Sequence, residues 1–548
     1  MRHKNNNFSA YLLLVFAFTS LQTFSQNFTK QDTLRGSITP ERAWWDLTYY
    51  HLDITVDLAE KTIAGSNIIQ YKVLEKGQQT LQVDLQPPLQ MTKAVQDDTE
   101  LEITHDGNAH FIHLKKRQKK GKVYSVKVFY EGKPKVARRP PWDGGITWSK
   151  DANGLPFIAS SCQGLGASIW WPCKDHMYDE VDSMKISVNV PKNLMNVSNG
   201  RLTSVEEKDN NTKTYHWNVV NPINNYGVNI NIGDYVHFGE KYEGENGVLD
   251  MDYYVLRDNL DKAKEQFKDA KRTLEAFEHW FGPYPFYEDS YKLVEAPYLG
   301  MEHQSSVTYG NGYKNGYRGF DLSRTGWGMK FDFIIIHESG HEWFANNITN
   351  IDIADMWIHE SFTAYSENLF LDYFYGKKAS AEYVIGTRGS ISNDRPIIGV
   401  YDVNHKGSGD MYYKGSNMLH TIRQLIDDDA KWRSILRGLN KDFYHQTVTT
   451  QQIENYMSEK SGIDLSAIFD QYLRTVDIPV LRYKKDGKKL MYRWEKTVDH
   501  FDMNVRVAID DEIITLSPTT KWQTKEMTSN IAAIAVDPNF YVTALEGE

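Results

Sequence analysis

Cysteine is nearly absent from this chain. Two thiols, Cys162 and Cys173, in 548 residues exclude a disulfide framework and a cysteine-built metal site. The stretch between them, Gln163 to Pro172, reads as a turn and strand with a role of its own, so two buried free thiols are expected rather than a bridge. Positive charge is also short. A net charge of −10 argues against nucleic acid as a partner, and the one basic run, Lys115 to Lys120, reads as a solvated strand edge and turn. With only 17 prolines, 41% hydrophobic residues and 13% aromatics, the composition is that of a folded globular protein.

Long apolar runs are missing too. Tyr11 to Phe18 is too short to span a bilayer. Preceded by Arg2, His3 and Lys4 and followed by Thr23-Phe24-Ser25, it reads as a cleavable export signal over residues 1–25. No cysteine follows it to carry a lipid. The expectation is an exported protein, periplasmic or extracellular, with no membrane span in the mature chain. The sequence does not specify an oligomeric state.

What is present is organised in blocks, because a chain this long does not fold around one core. From Tyr49 to about Tyr235, strand patterns follow one another: Tyr50–Leu58, Ile68–Val73 and Lys122–Tyr130 alternate apolar with polar, and Asp106-Gly107 and Asn199-Gly200 read as hairpin turns. This predicts an N-terminal antiparallel β domain over 26–240. Near Asp258 the period changes. Asp258 or Asn259 caps a helix through Leu260, Phe267, Leu274 and Phe277, which Gly282-Pro283 stops. Tyr291–Glu295 reads as a strand. Helical patterns then dominate to residue 475, covering roughly 410–427, 430–444, 450–460 and 464–474. After Ile478-Pro479 short strands return, enough for a small β-sandwich over 476–548. The fold class expected is multidomain α+β.

The chemistry lies between His337 and Glu367. Residues i and i+4 share a helix face, so the histidines of His337-Glu338-x-x-His341 can ligate one metal ion. Glu338 points into the same cleft, in reach of a water at the metal. Glu360, after eighteen intervening residues, supplies a third ligand and leaves a position open. Two histidines, a carboxylate and an open position make a catalytic zinc site rather than a structural one. The bland alternative is a surface helix with two solvated histidines. Against it stands Phe331 to Ile336, apolar nearly all round, which predicts a buried helix, and buried histidine and glutamate need partners.

HESGHEWF followed by Glu360 resembles the zinc aminopeptidases of the aminopeptidase N and leukotriene hydrolase type (peptidase family M1, gluzincins). Three further stretches carry the likeness: Leu299-Gly-Met-Glu-His303 resembles the G-x-M-E-N exopeptidase signature, Tyr412-Tyr-Lys-Gly415 the Y-E-K-G segment, and Gln163 with Trp171-Pro172 the substrate-contacting strand of the β domain. The resemblance implies a thermolysin-like, mostly helical zinc catalytic domain over 241–475 holding one Zn²⁺ by His337, His341 and Glu360. It implies Glu338 as general base and Tyr412 as oxyanion donor. Glu302 and Gln163 would bind the free α-ammonium of a peptide, with Gly300 and Met301 contacting substrate. Glu367, seven residues past Glu360 on the same face, would orient a ligating histidine.

The departures are His303 for the signature's asparagine, Leu299 for its first glycine, Ser361 for a glycine and Ser168 for an arginine. The chain is also expected to be a short form, without the large C-terminal helical domain of many members. The stretch Pro140–Gly145 is expected to reach the cleft, on its glycine and tryptophan content. The function expected is removal of N-terminal residues from peptides. The alternatives are a zinc endopeptidase and an inactive peptide-binding protein.

Overall fold

The strands expected after Tyr49 form the middle of an eight-stranded sheet. Trp45–Asp57 and Thr62–Val73 pair antiparallel, and Val123–Gly132 adds to the second. Leu52, Ile54 and Val56 point into the core while Asp53, Thr55 and Asp57 face outward, as the strand period requires. The structure is a computed structural model describing residues 27–510 and 512–547; the expected export signal at 1–25 lies outside them.

Three expectations change here. The sheet is not wholly antiparallel, since Trp45–Asp57 runs parallel to Met184–Pro191. A parallel pair needs a long crossover, and this one carries strands Gly145–Lys150 and Pro156–Ser161 of a second, four-stranded sheet. It also carries Gln163. Asn199-Gly200 is not a hairpin turn: it links Met195–Val197 in that second sheet to Arg201–Lys208 in the first. The buried Asn199 amide donates to the carbonyls of Gly227 and Gln304, both at 2.7 Å. The Asp106-Gly107 turn does join two paired strands, Glu102–Asp106 and Ala109–His113. Between the cysteines, Gln163 to Pro172 forms a turn and a 3₁₀ turn at Ala167–Ile169 instead of a strand. Both cysteines are buried and unpaired.

A hairpin, Tyr235–Gly244 with Gly247–Leu256, opens a mixed five-stranded sheet that continues through Tyr291–Glu295 and Val307–Tyr309 to an edge strand, Gly300–Met301. The border expected at residue 240 falls inside its first strand. The helix expected from residue 258 is two, Leu260–Gln266 and Lys268–Phe281. They part at Phe267, whose ring packs edge-on against Tyr309. Asn259 heads the first helix without capping it, because its amide donates to Glu295 at 2.7 Å.

Helices Tyr413–Ile426, Asp429–Asp442, Thr450–Ser461 and Ser466–Arg474 match the periodicity, and Lys377–Gly386 is one that the sequence reading missed. The C-terminal strands form a four-stranded and a three-stranded sheet. One apolar cluster runs from the helices into these sheets through Leu481, Trp494 and Val505. A second fills the N-terminal β region and reaches Tyr298 and Met301, so the edge strand before Glu302 is gripped from both sides. Among the described residues no helix is long and apolar enough to cross a membrane.

Candidate active site

Asp332 starts the helix Phe333–Gly340, its carboxylate accepting from the amides of Ile334 and Ile335 at 3.1 and 3.4 Å. Ile335 and Ile336 are fully buried, which fixes the roll of the helix and turns His337 and Glu338 toward one cleft. His341 is the first residue past the helix but keeps helical angles, so the i, i+4 relation survives. Helix Trp357–Tyr375 crosses close by. A Cβ on Gly340 would stand 2.7 Å from Ser366 Oγ and 3.2 Å from Thr363 Cγ2. The missing side chain lets the helices approach this closely, which carries Glu360 and Glu367 to the histidines.

Three donor atoms converge. Glu360 Oε2 lies 3.4 Å from His341 Nε2 and 3.8 Å from His337 Nε2. The other ring nitrogens are engaged: His337 Nδ1 meets Glu367 Oε1 at 2.8 Å, and His341 Nδ1 meets the Phe344 carbonyl at 3.0 Å. These bonds place the ring protons on Nδ1 and leave both Nε2 lone pairs free. Glu360 Oε2 is buried and has no hydrogen-bond partner, a costly state for a carboxylate oxygen. An orphaned oxygen facing two imidazole lone pairs fits a zinc ion.

The electrostatics call for a cation as well. Burial alone would lower His341; Glu360 and Glu302 overcome it and push the ring up to about 10, so these carboxylates favour a positive charge at Nε2, which either a proton or a metal ion supplies. Burial, then Glu302 and Glu360, raise Glu338 above the usual carboxylate range against the pull of His337. For Glu360 the attraction of His341 outweighs burial and holds the group low. Burial and the nearby carboxylates lift Tyr412 well above an ordinary phenol, so it keeps its proton.

The remaining expected residues meet at one end of the cleft. Gln163 Nε2 donates to Glu302 Oε1 at 2.5 Å and lies 3.3 Å from Glu360 Oε1. The Tyr412 hydroxyl donates to Glu360 Oε1 at 2.9 Å. Gly300 and Met301 run along the cleft edge, and a Cβ on Gly300 would meet Glu338 Oε1 at 2.9 Å. Oxygens of Glu302 and Glu338 and a nitrogen of His341 lie within 4.8 Å of one another. The cleft, of about 230 Å³, is also lined by Pro141, Trp142, Leu299, Tyr317, Leu322 and Phe333, so the stretch Pro140–Gly145 does reach it.

Some supporting groups carried no sequence signal. Tyr226 donates to Glu302 Oε1 at 3.1 Å, Tyr383 to Glu367 Oε2 at 2.6 Å, and Thr363 Oγ1 lies 3.0 Å from His341 Nδ1. They are single residues far apart in the chain. The His337 ring stacks between Phe333 and Tyr412, at 5.2 and 5.9 Å; Phe333, four residues before His337, was legible by helix spacing.

Three of the departures take defined places in the structure. The Ser361 hydroxyl donates to the Met411 carbonyl at 2.7 Å, bracing the residue before Tyr412. His303 is fully buried, and burial holds it neutral, down at about 3. Ser168 donates its amide to Asp175 at 3.0 Å.

Two family profiles match the chain: the Peptidase M1 N-terminal domain over residues 47–226 and the Peptidase family M1 domain over residues 265–472. Leucyl aminopeptidase of Saccharolobus solfataricus is 23% identical over 441 residues, 77% of this chain and 53% of that protein. Leukotriene A-4 hydrolase of Xenopus laevis is 23% identical over 483 residues, 82% of this chain and 74% of that protein. The chain spans about half the length of the archaeal relatives it matches. Among solved structures, the M1 zinc metallopeptidase of Deinococcus radiodurans superposes with a TM-score of 0.67 at 19% identity, covering 80% of this chain and 96% of that one.

Proposed function

Because this chain belongs to peptidase family M1, we propose that it is a zinc aminopeptidase, removing single residues from peptides with a free N-terminus. The observation that carries the reading is the buried end of the cleft. There the Glu302 carboxylate, braced by Gln163 and Tyr226, stands beside Glu338 and His341. A substrate ammonium is the cation such a carboxylate recognises. Holding it there sets the first carbonyl against the metal ligands and limits cleavage to one residue at a time.

In this reading His337, His341 and Glu360 hold the zinc. When bound, zinc supplies Lewis acidity toward the scissile carbonyl and acidifies water. Glu338 takes the proton of the attacking water on its carboxylate and passes it to the leaving amine. The Tyr412 phenol, kept protonated, turns its O–H from Glu360 to the developing oxyanion. Gly300 and Met301 flank the substrate backbone. Glu367 holds the His337 ring in place. We also propose export by the N-terminal segment, on its basic start and short apolar core.

The test compares a peptide with its N-acetylated form on the zinc-loaded protein. Cleavage of the free peptide alone supports the aminopeptidase. Equal cleavage of both would make it an endopeptidase, and binding without cleavage of either would make it a peptide-binding protein.

A further inference from the structure

Trp142 is a large apolar side chain left 64% exposed at the wall of the substrate cleft. Its loop is braced from within: the Arg138 amide donates to Asp143 Oδ2 at 2.7 Å, and the Gly144 amide to the Pro141 carbonyl at 3.2 Å. The loop also packs on the turn that bears Gln163, since a Cβ on Gly144 would stand 2.9 Å from Leu165 Cδ1. Trp142 is therefore held on the Gln163 side of the cleft.

That is the side where the first side chain of a substrate must go. If Glu302 and Gln163 hold the ammonium and the metal ligands face the first carbonyl, the Cα between them is one bond from each, about 1.5 Å. Its side chain then falls on whatever surrounds Glu302 and Gln163. Among the apolar residues lining the cleft, Leu299 and Met301 belong to the segment leading into Glu302, and Pro141 and Trp142 to the loop packed on the Gln163 turn. Among the described residues lining the cleft none is lysine or arginine, while Glu302, Glu338 and Glu360 are carboxylates. Away from the metal ligands, an acidic side chain would meet the repulsion of these carboxylates and no lysine or arginine to pair with.

We propose that Trp142, with Pro141, Leu299 and Met301, forms the apolar wall that receives the substrate's N-terminal side chain, and that the protein thereby selects large apolar N-terminal residues over small or acidic ones. This rests on the aminopeptidase reading. An indole presents a broad face that a ring or branched aliphatic chain covers and a methyl group does not.

The test measures binding, so it does not depend on turnover. Zinc-loaded Glu338→Gln protein is titrated calorimetrically with Phe-Gly-Gly, Ala-Gly-Gly and Asp-Gly-Gly, with and without Trp142→Ala or Trp142→Phe. Thermal midpoint and zinc content check that each variant is intact. The expected result is Phe-Gly-Gly binding about tenfold or more tighter than Ala-Gly-Gly, with Asp-Gly-Gly weakest. Trp142→Ala should bring the Phe to Ala ratio below about threefold, and Trp142→Phe should keep most of it. No preference in the parent, or a ratio that survives Trp142→Ala, overturns the proposal. N-acetyl-Phe-Gly-Gly separates the two readings: if it binds as tightly as Phe-Gly-Gly, ammonium recognition fails, whatever Trp142 does to the ratio.

Discussion

Glu367 holds His337 by one carboxylate oxygen, 2.8 Å from Nδ1, while Tyr383 donates to the other at 2.6 Å. Glu367 is fully buried and His337 nearly so, and the bond at Nδ1 keeps the ring's Nε2 aimed at Glu360. Glu367→Gln should keep the fold but weaken zinc binding by about 10- to 100-fold. Competition with a chelator of known affinity checks it, and unchanged affinity would remove Glu367 from the metal site.

Glu338→Gln removes the proposed proton acceptor while keeping the size and shape of the side chain. Hydrolysis of aminoacyl-anilides should disappear while zinc stays near one per chain by elemental analysis. Retained turnover would reassign the base.

Tyr412→Phe deletes one hydroxyl. Losing an oxyanion donor typically costs about 10²- to 10³-fold in kcat, and KM should change far less. A loss seen mainly in KM would instead make Tyr412 a substrate-binding residue.

Stripping zinc leaves Glu302, Glu338 and Glu360 buried together with two histidines to balance them. A ligand that binds only the folded state stabilises it, by about 2.7 kcal/mol at a hundred times Kd. The thermal midpoint should therefore fall on chelation and return with added zinc. A midpoint indifferent to zinc would argue that no ion belongs in the fold.

Arg42 and Asp84 form an ion pair at 2.6 Å with both side chains essentially inaccessible. Arg42→Met strands a buried carboxylate and should cost about 3–5 kcal/mol, while Arg42→Met with Asp84→Leu should cost less. The exposed pair Lys192–Glu207 should give about 1 kcal/mol or less. Denaturant midpoints of Arg42→Met, of the double variant and of Lys192→Met rank these effects.

The candidate metal site was legible because local periodicity governs it. His337, Glu338 and His341 share a face of one helix, Glu360 and Glu367 share a face of the next, and the apolar Ile334-Ile335-Ile336 run showed that the first helix is buried. The helical and strand blocks were legible for the same reason. The parallel pairing of Trp45–Asp57 with Met184–Pro191 was not, since a partner more than a hundred residues away leaves no periodic trace.

Residue types and spacing in the sequence alone determined a helix pair carrying a candidate zinc site between two β-rich blocks. Tertiary structure decided what surrounds it: that Gln163 reaches Glu302 across 139 positions, that Tyr226 and Tyr383 steady two glutamates, and that Trp142 stands exposed at the cleft. Helix spacing is a property of neighbouring residues, and sequence records it. Which distant loops close over a site depends on how separate cores pack, and that is resolved only when the chain is folded.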